Sequence, residues 1–180
     1  MTKKIGLALS GGGARGFAHI GVLKVLVEND IPIDMIAGTS AGSIIGGAFA
    51  SGMSVDQILA MAEKVGWRNM TRPSMSPIAM LSNAPMGNFL ARHFPVTRFE
   101  DLKIPYAAVV CDLQRGEEVV LRDKGDMIFA IRASCAVPGV FAPMTDEKGR
   151  TLIDGGAVSL TPTDAVRRLG ADVVIAVDLL

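Results

Sequence analysis

The chain has few of the residues from which disulfide scaffolds and metal sites are built. In 180 residues it contains only 2 cysteines and 2 histidines. Cys111 and Cys135 form no C-x-x-C pair and lack the spacing of metal ligands. We therefore expect two buried free thiols and no bound metal.

An excess of charge of either sign is also absent. The 18 basic residues balance 18 acidic ones, so the formal net charge is zero. We therefore expect no nucleic-acid partner, and any transient contact with a membrane surface would depend on local apolar groups. Aromatic residues make up only 5% of the chain, whereas apolar residues make up 49% and the mean hydropathy is +0.38. Such a composition, rich in aliphatic residues and glycine, is typical of a parallel sheet buried on both faces.

The sequence shows neither a secretory leader nor a good membrane span. The apolar run Ile5–Leu9 is too short for the hydrophobic region of a signal peptide, which indicates a cytoplasmic protein. The uncharged window over residues 35–55 is long enough to cross a bilayer, but its glycines and serines favour a close-packed strand and helix. The length fits a single domain over residues 1–180. Because the chain stops directly after an apolar run, it is either C-terminally short or has an exposed last strand, which would favour self-association into a homo-oligomer.

Short apolar runs alternate with segments of helical periodicity, which predicts an α/β fold. A strand at residues 5–9 is followed by a glycine-rich loop and by a helix that reaches about residue 29. Further strands are predicted at 33–37, 106–111, 119–121, 151–153 and 173–177, and further helices at 41–50, 54–65, 126–135 and 163–169. From residue 67 to residue 92 the periodicity is lost and no element is predicted.

A G-x-S-x-G pattern occupies the turn between the second predicted strand and the next helix. Its residues are Gly38, Thr39, Ser40, Ala41 and Gly42. At such an elbow the serine is pushed clear of the backbone, and the flanking glycines let strand and helix approach closely. Ser40 is therefore a candidate nucleophile, although a glycine-rich helix start would show the same letters.

The glycine-rich loop after the first strand consists of Ser10, Gly11, Gly12, Gly13, Ala14, Arg15 and Gly16. Unobstructed backbone N–H groups at a helix N-terminus could hold an oxyanion, and Arg15 adds a positive charge nearby. The same letters fit the dinucleotide fingerprint G-x-G-x-x-G. That alternative requires an acidic residue at the end of the second strand, where this chain has Gly-Thr-Ser.

A third motif, Asp154-Gly155-Gly156, follows the predicted strand at 151–153. Asp-Gly is a common hairpin signal, so a plain turn is the alternative to a functional role. The elbow at Ser40 favours the functional role, because a nucleophilic serine needs a base.

A hydrolase with the usual chain order Ser-Asp-His needs a histidine after its acidic residue. The chain contains only His19 and His93, and neither follows Asp154. His19, four residues after Arg15, is expected to be a core or capping residue, and His93 is expected to be exposed. If Ser40 is a nucleophile, its base is either an upstream histidine or a carboxylate. An apolar, partly dry setting would make an aspartate more basic than usual.

In this order, the G-G-G-x-R-G loop, G-x-S-x-G and D-G-G resemble the motifs of the patatin-like phospholipase family. The segments at 16–23 and 133–143 are also similar to bacterial members, so the resemblance covers nearly the whole chain. It implies a three-layer α/β/α fold with a mostly parallel central sheet.

The resemblance also implies a Ser–Asp dyad and no catalytic histidine. Ser40 would attack the ester carbonyl, and Asp154 would accept its proton and later activate water. The groups that would stabilise the oxyanion are the amides of Gly11, Gly12 and Gly13, helped by Arg15. The remaining motif positions are Gly16, Gly38, Gly42, Gly155 and Gly156.

The substrates that the resemblance implies are acyl esters of lipids, including phospholipids and lysophospholipids, and it implies no metal or organic cofactor. The alternative is a non-catalytic lipid-binding or regulatory module on the same fold. The uncharged stretch at 73–91 is rich in methionine. A functional stretch would line a groove for the acyl chain or cover Ser40 as a lid. The alternative is that its methionines fill gaps in the core under a long loop.

Overall fold

The computed structural model describes residues 3–75 and 77–180. The strands are β1 (Ile5–Leu9), β2 (Met35–Thr39), β3 (Arg72–Pro73), β4 (Ala79–Ser82), β5 (Tyr106–Asp112), β6 (Glu117–Arg122), β7 (Gly139–Phe141), β8 (Met144–Thr145), β9 (Thr151–Asp154) and β10 (Val173–Val177). The helices are α1 (Ala18–Glu28), α2 (Ala41–Ala50), α3 (Val55–Ala62), α4 (Trp67–Met70), α5 (Ala84–His93), α6 (Met127–Ser134) and α7 (Thr163–Arg168). Short 3-10 turns lie at Gly13–Phe17, Phe99–Asp101 and Gly155–Ala157.

The central sheet has the order β10-β1-β2-β5-β9-β8, and β6 also pairs with β5. The pairs from β10 to β5 are parallel, whereas β9, β8 and β6 run antiparallel to their neighbours. Strands β2 and β5 are buried along their whole length, as expected of a sheet covered on both faces. The parallel strands end at one edge of the sheet, where the loops after β1 and β2 meet.

Alternate residues of the sheet belong to separate cores on its two faces. On one face Leu7, Leu9 and Ile36 pack with α1, α2, α3, α5 and α6. On the other face Ala8 and Ala37 pack with α7. The three-layer α/β/α architecture that the resemblance implied is therefore confirmed.

Several predicted elements have the observed bounds or nearly so. The strands at 5–9 and 173–177 and the helix at 41–50 coincide with β1, β10 and α2. The helix predicted from residue 54 is α3, and both bonds of its capping box are present: Gln57 N–H donates to Ser54 Oγ (3.2 Å) and Ser54 N–H donates to Gln57 Oε1 (2.8 Å). The strand predicted at 33–37 is wrong by two residues, since β2 runs over 35–39; just before it, Asp34 N–H donates to the Ile5 carbonyl (2.8 Å) and the Asp34 side chain accepts the Ile5 N–H (2.7 Å).

The largest error concerns residues 67–92, where no element was predicted and the structure has α4, β3, β4 and most of α5. Pro85 lies in the first turn of α5, a position that proline favours, so it does not interrupt this helix. Strand β4 is stabilised by the distant β7, with Leu81 paired to Phe141. Local periodicity cannot show such a pairing.

His93 was predicted to be exposed but is half-buried. Its ring lies 4.3 Å from the ring of Phe89, and its Nδ1 donates to the Phe89 carbonyl (2.8 Å). Cys111 and Cys135 are both buried free thiols, as predicted. Within the described residues no helix is long and apolar enough to cross a membrane, and no cluster of side chains is arranged to hold a metal ion.

Candidate active site

The backbone between β2 and α2 turns sharply at Ser40. Ser40 has φ 50° and ψ −120°, a conformation that residues other than glycine rarely adopt. A Cβ on Gly42 would lie 2.2 Å from the Leu9 carbonyl oxygen, and one on Gly38 would lie 2.4 Å from the Gly42 carbonyl oxygen. The two motif glycines are therefore required by close backbone contacts, and Ser40 is presented half-buried at the edge of the sheet.

Hydrogen bonds fix this turn to strand β5 and to the chain after Asp154. The Ser40 N–H donates to Ser134 Oγ (2.8 Å), and the Ser134 hydroxyl donates to the Val109 carbonyl (2.6 Å). On the other side of the turn, Thr39 Oγ1 donates to the Ser159 carbonyl (2.9 Å). The strained conformation is thus supported by buried neighbours, as such strain requires.

Asp154 and Ser40 meet on the same edge of β5. Strand β6 pairs with β5 from Ala107 to Asp112 and occupies its other edge, so β2 and β9 lie end to end, with Thr39 paired to Val109 and Asp154 paired to the next residue, Val110. Because Ser40 directly follows Thr39, the end of β2 brings its side chain next to that of Asp154.

The Asp154 carboxyl is buried, and this burial raises its pKa above the usual aspartate value. Hydrogen bonds from the Gly156 amide and from the Ser40 side chain oppose the rise in pKa. The Gly156 N–H lies 2.7 Å from Asp154 Oδ1. Gly155, between Asp154 and Gly156, packs so closely on β5 that a Cβ on it would lie 2.3 Å from the Val109 carbonyl oxygen. The arrangement provides a partly dry carboxylate, more basic than usual, that contacts the Ser40 side chain.

The glycine-rich loop passes directly beside Ser40. A Cβ on Gly11 would lie 3.4 Å from the Ser40 Cβ. The Gly11 N–H donates to the Leu160 carbonyl (3.1 Å), so this amide of the predicted set already has a partner within the protein. The amides of Gly12 and Gly13 make no hydrogen bond within residues 3–75 and 77–180. These two amides are therefore the free donors of the predicted set.

Two other members of the predicted loop take different places. Gly16 packs against α2, where a Cβ would lie 2.5 Å from the Ala41 Cβ. Arg15 is exposed to solvent in the 3-10 turn that follows the loop. Gly16 is therefore a packing position, while Arg15 remains accessible to a ligand.

His19 lies in the core under the loop, as expected of a structural histidine. It is fully buried, and its Nε2 donates to the Ser10 carbonyl (2.9 Å). Burial lowers the pKa of His19, so the ring is neutral at physiological pH. Among the described residues, neither His19 nor His93 forms a hydrogen bond with Ser40. The carboxylate alternative is therefore the one that the geometry favours.

An apolar cavity of about 450 Å³ opens at Ser40. Its walls come mainly from α2, α3, α5 and the chain after α6, and they include Ile44, Ile45, Met61, Ala62, Met86, Phe89, Leu90, Cys135, Val137 and Phe141. Volume and lining are those of a pocket for a small apolar ligand. The Cys135 thiol in this wall has its pKa raised to about 12, chiefly by burial, so it stays protonated and is not a competing nucleophile.

The uncharged stretch at 73–91 divides into two parts. Met86, Phe89 and Leu90 on α5 line the cavity and are buried, as the groove alternative required. Met75 and Met80 are 102% and 69% exposed and do not line the cavity. The stretch is therefore partly a cavity wall and partly exposed surface, and neither alternative describes all of it.

Sequence reasoning missed two contributions to the site. Ser134 supports the turn at Ser40, and the Ala136 carbonyl accepts the N–H of Asp154 (3.0 Å). Both belong to the segment at 133–143 that carried part of the resemblance, but no role was assigned to them. The available signal was a serine beside Cys135 at the end of a helix whose only other polar residue is Arg132.

Family comparisons agree with these features. A family model described as patatin-like phospholipase matches residues 7–167. A patatin-like phospholipase domain-containing protein of Caenorhabditis elegans is 37% identical over 184 residues, which cover 97% of this chain and 13% of that protein. An uncharacterized NTE family protein of Mycobacterium tuberculosis is 38% identical over 181 residues, 99% of this chain and 49% of that protein. The chain thus spans less than half the length of these relatives.

Solved structures resemble the fold at low sequence identity. VipD from Legionella pneumophila superposes with a TM-score of 0.70 at 15% identity, over 86% of this chain and 46% of that one. The type III effector protein ExoU gives a TM-score of 0.53 at 18% identity, over 77% of this chain and 40% of that one. At these identities the likeness establishes the fold alone.

Proposed function

Since the chain belongs to the patatin-like phospholipase family, we propose that it hydrolyses acyl esters of lipids, with Ser40 as nucleophile and Asp154 as proton acceptor. The observation that carries the proposal is the position of Ser40. It lies on a strained turn, at the opening of an apolar cavity, in contact with a desolvated carboxylate.

In the proposed first step Ser40 Oγ attacks the ester carbonyl carbon while its proton passes to the Asp154 carboxylate. The amides of Gly12 and Gly13, with Arg15 nearby, would stabilise the oxyanion of the tetrahedral intermediate. Collapse of this intermediate breaks the ester C–O bond, and the leaving alkoxide takes the proton from Asp154. In the second step Asp154 accepts a proton from water, which attacks the carbonyl of the acyl-Ser40 ester. Collapse of this second intermediate breaks the bond to Ser40 Oγ, which takes the proton back from Asp154 as the fatty acid is released.

The cavity supports a lipid substrate rather than a polar one. Its walls are almost entirely aliphatic and aromatic, so an acyl chain would leave water as it binds there. Ile44 and Ile45 lie about one helical turn after Ser40 on α2, so the chain would extend away from the reacting carbonyl along this helix.

The test compares hydrolysis of p-nitrophenyl butyrate by the wild type, Ser40→Ala and Asp154→Asn. The asparagine keeps an oxygen that can accept the Gly156 N–H, and it replaces the charged, proton-accepting carboxylate by a neutral amide. We expect each variant to lose at least about a thousandfold in kcat. His93→Gln serves as control and should retain activity.

A fluorophosphonate probe gives an independent measurement, because it labels an activated serine covalently. Labelling of the wild type and of His93→Gln, but not of Ser40→Ala, would support the proposal. Equal background hydrolysis by all four proteins would favour the non-catalytic lipid-binding module. Full activity of Asp154→Asn would eliminate Asp154 as the base.

A further inference from the structure

Ser134, the last residue of α6, connects the candidate nucleophile to the centre of the sheet. Its side chain is fully buried. The hydroxyl oxygen accepts the Ser40 N–H (2.8 Å), and the hydroxyl proton is donated to the Val109 carbonyl (2.6 Å). Because a hydroxyl has one proton and the Val109 carbonyl can only accept, the direction of both bonds is fixed.

The bond from Ser40 lies at a strained point of the backbone. With φ 50° and ψ −120°, Ser40 keeps its conformation only where surrounding groups hold it. Its N–H belongs to the first residues of α2, whose amides have no partner within the helix. Ser134 supplies that partner from outside the helix.

The strand that receives the Ser134 proton also positions the base. Val109 is followed by Val110, which pairs with Asp154. The Val109 oxygen lies so close to the Asp154-Gly155 turn that Gly155 admits no Cβ there. Two residues after Ser134, the Ala136 carbonyl accepts the Asp154 N–H (3.0 Å).

We propose that Ser134 is a positioning residue, which sets the place of Ser40 relative to Asp154 by joining the Ser40 amide to β5. The inference rests on the proposed function, because it concerns the reaction of that same pair. Ser134 itself touches no substrate. Its loss would leave the Ser40 amide and the Val109 carbonyl unpaired in a buried position and free the turn to relax.

The test measures kcat, KM and the thermal midpoint for the wild type, Ser134→Ala and Ser51→Ala. Ser51 is a matched control, because it is also buried and its hydroxyl also donates to a backbone carbonyl, that of Ala48 (2.7 Å), at the far end of α2. Both variants should have a lower thermal midpoint. Only Ser134→Ala should lose between about tenfold and a hundredfold in kcat per folded molecule, with KM within about twofold.

Ser134→Cys is the conservative variant, and it also carries the test if Ser134→Ala does not fold. Its thiol is a weak donor and acceptor of similar shape, so its kcat should lie between those of the alanine variant and the wild type. Equal kcat values for the Ser134 and Ser51 variants, after correction for the folded fraction, would overturn the positioning role.

Fluorophosphonate labelling shows whether only the positioning role of Ser134 fails or the proposed function fails as well. Wild-type labelling that depends on Ser40 but proceeds at the same rate in Ser134→Ala would remove the positioning role alone. Absence of Ser40-dependent labelling in the wild type would remove the proposed function and the positioning role with it. Slower labelling of Ser134→Ala than of Ser51→Ala is the result we expect.

Discussion

Two walls of the cavity are held in place by different kinds of contact. The catalytic wall, named for the proposed reaction, comprises the turn at Ser40, which opens onto the cavity, and the adjacent Asp154 turn; Gly38, Gly42 and Gly155 there lie against backbone at distances that admit no Cβ. The apolar wall comprises the cavity-lining residues of α3 and α5, whose side chains pack within one hydrophobic core. Close contact between backbone segments fixes the positions of the residues involved, whereas the packing of side chains mainly determines how much volume is left for a ligand. We therefore expect substitutions in the catalytic wall to abolish folding or activity. Substitutions in the apolar wall should instead alter which substrates are preferred.

The largest effect should follow from adding one methyl group to the catalytic wall. In Gly42→Ala the new Cβ would lie 2.2 Å from the Leu9 carbonyl oxygen, and backbone cannot yield as a flexible side chain can. We expect a loss of at least about 3 kcal/mol in the free energy of unfolding, and loss of esterase activity. Chemical denaturation and hydrolysis of a short ester measure the two effects.

Gly21→Ala is the matched control, because Gly21 lies in α1 and its Cβ would meet nothing within 4 Å. Alanine is the better helix former, so this variant should gain about 0.5–1 kcal/mol in stability and keep full activity. A Gly42→Ala protein as stable and active as Gly21→Ala would show that the catalytic wall is not fixed by backbone contact.

The second effect is a pH dependence that arises from the catalytic wall alone, since the proposed dyad requires an ionised Asp154. Burial raises the pKa of this carboxyl, so kcat/KM should fall with acid from a higher pH than the ordinary aspartate value of about 3.9 would give. The Cys135 thiol of the cavity, with its pKa near 12, stays neutral across this range. A pH profile of kcat/KM that stays flat to about pH 4 would contradict this assignment.

The same shift in pKa has a consequence for stability, whose sign is opposite to that of a salt-bridged aspartate. Because the pKa of Asp154 is higher in the folded than in the unfolded chain, its ionisation destabilises the fold above the folded-state pKa. Asp154→Asn should therefore be at least as stable as the wild type at neutral pH. The difference in the free energy of unfolding between this variant and the wild type should disappear as the pH falls through the pKa of Asp154.

The two walls also differ in how far the sequence predicts them. The glycines at 38 and 42 leave a local signature because backbone excludes a side chain at both positions, that of α2 at Gly38 and that of the end of β1 at Gly42. The turn at Ser40 and the Asp154 turn were accordingly located from their motifs. The sequence did not predict α5, which carries much of the apolar wall, nor the nearby pairing of Leu81 with Phe141, 60 residues apart in the chain. No local pattern encodes such a pairing, and Ser134 was missed for the same reason, since its partners are Ser40 and Val109.

The smallest effect should come from the apolar wall, where a change of volume alters which substrate fits. Ala62 on α3 is a buried core residue that also lines the cavity, so we expect the larger side chain of Ala62→Leu to take up part of the cavity volume. We expect kcat/KM for a p-nitrophenyl ester with a long acyl chain to fall about tenfold, since hydrophobic pockets discriminate by a few methylenes at about this level. The butyrate ester should be hydrolysed within about twofold of the wild-type rate.

Ala60→Leu provides the matched control on the same helix, because Ala60 is exposed and does not line the cavity. It makes the same chemical change and should alter neither ester, with stability within about 0.5 kcal/mol of the wild type. If Ala62→Leu slowed both esters equally, the substitution would be acting on Ser40, and the two walls would not be independent. A loss confined to the long-chain ester would show that the acyl chain lies against α3, since only there does the added volume meet the substrate.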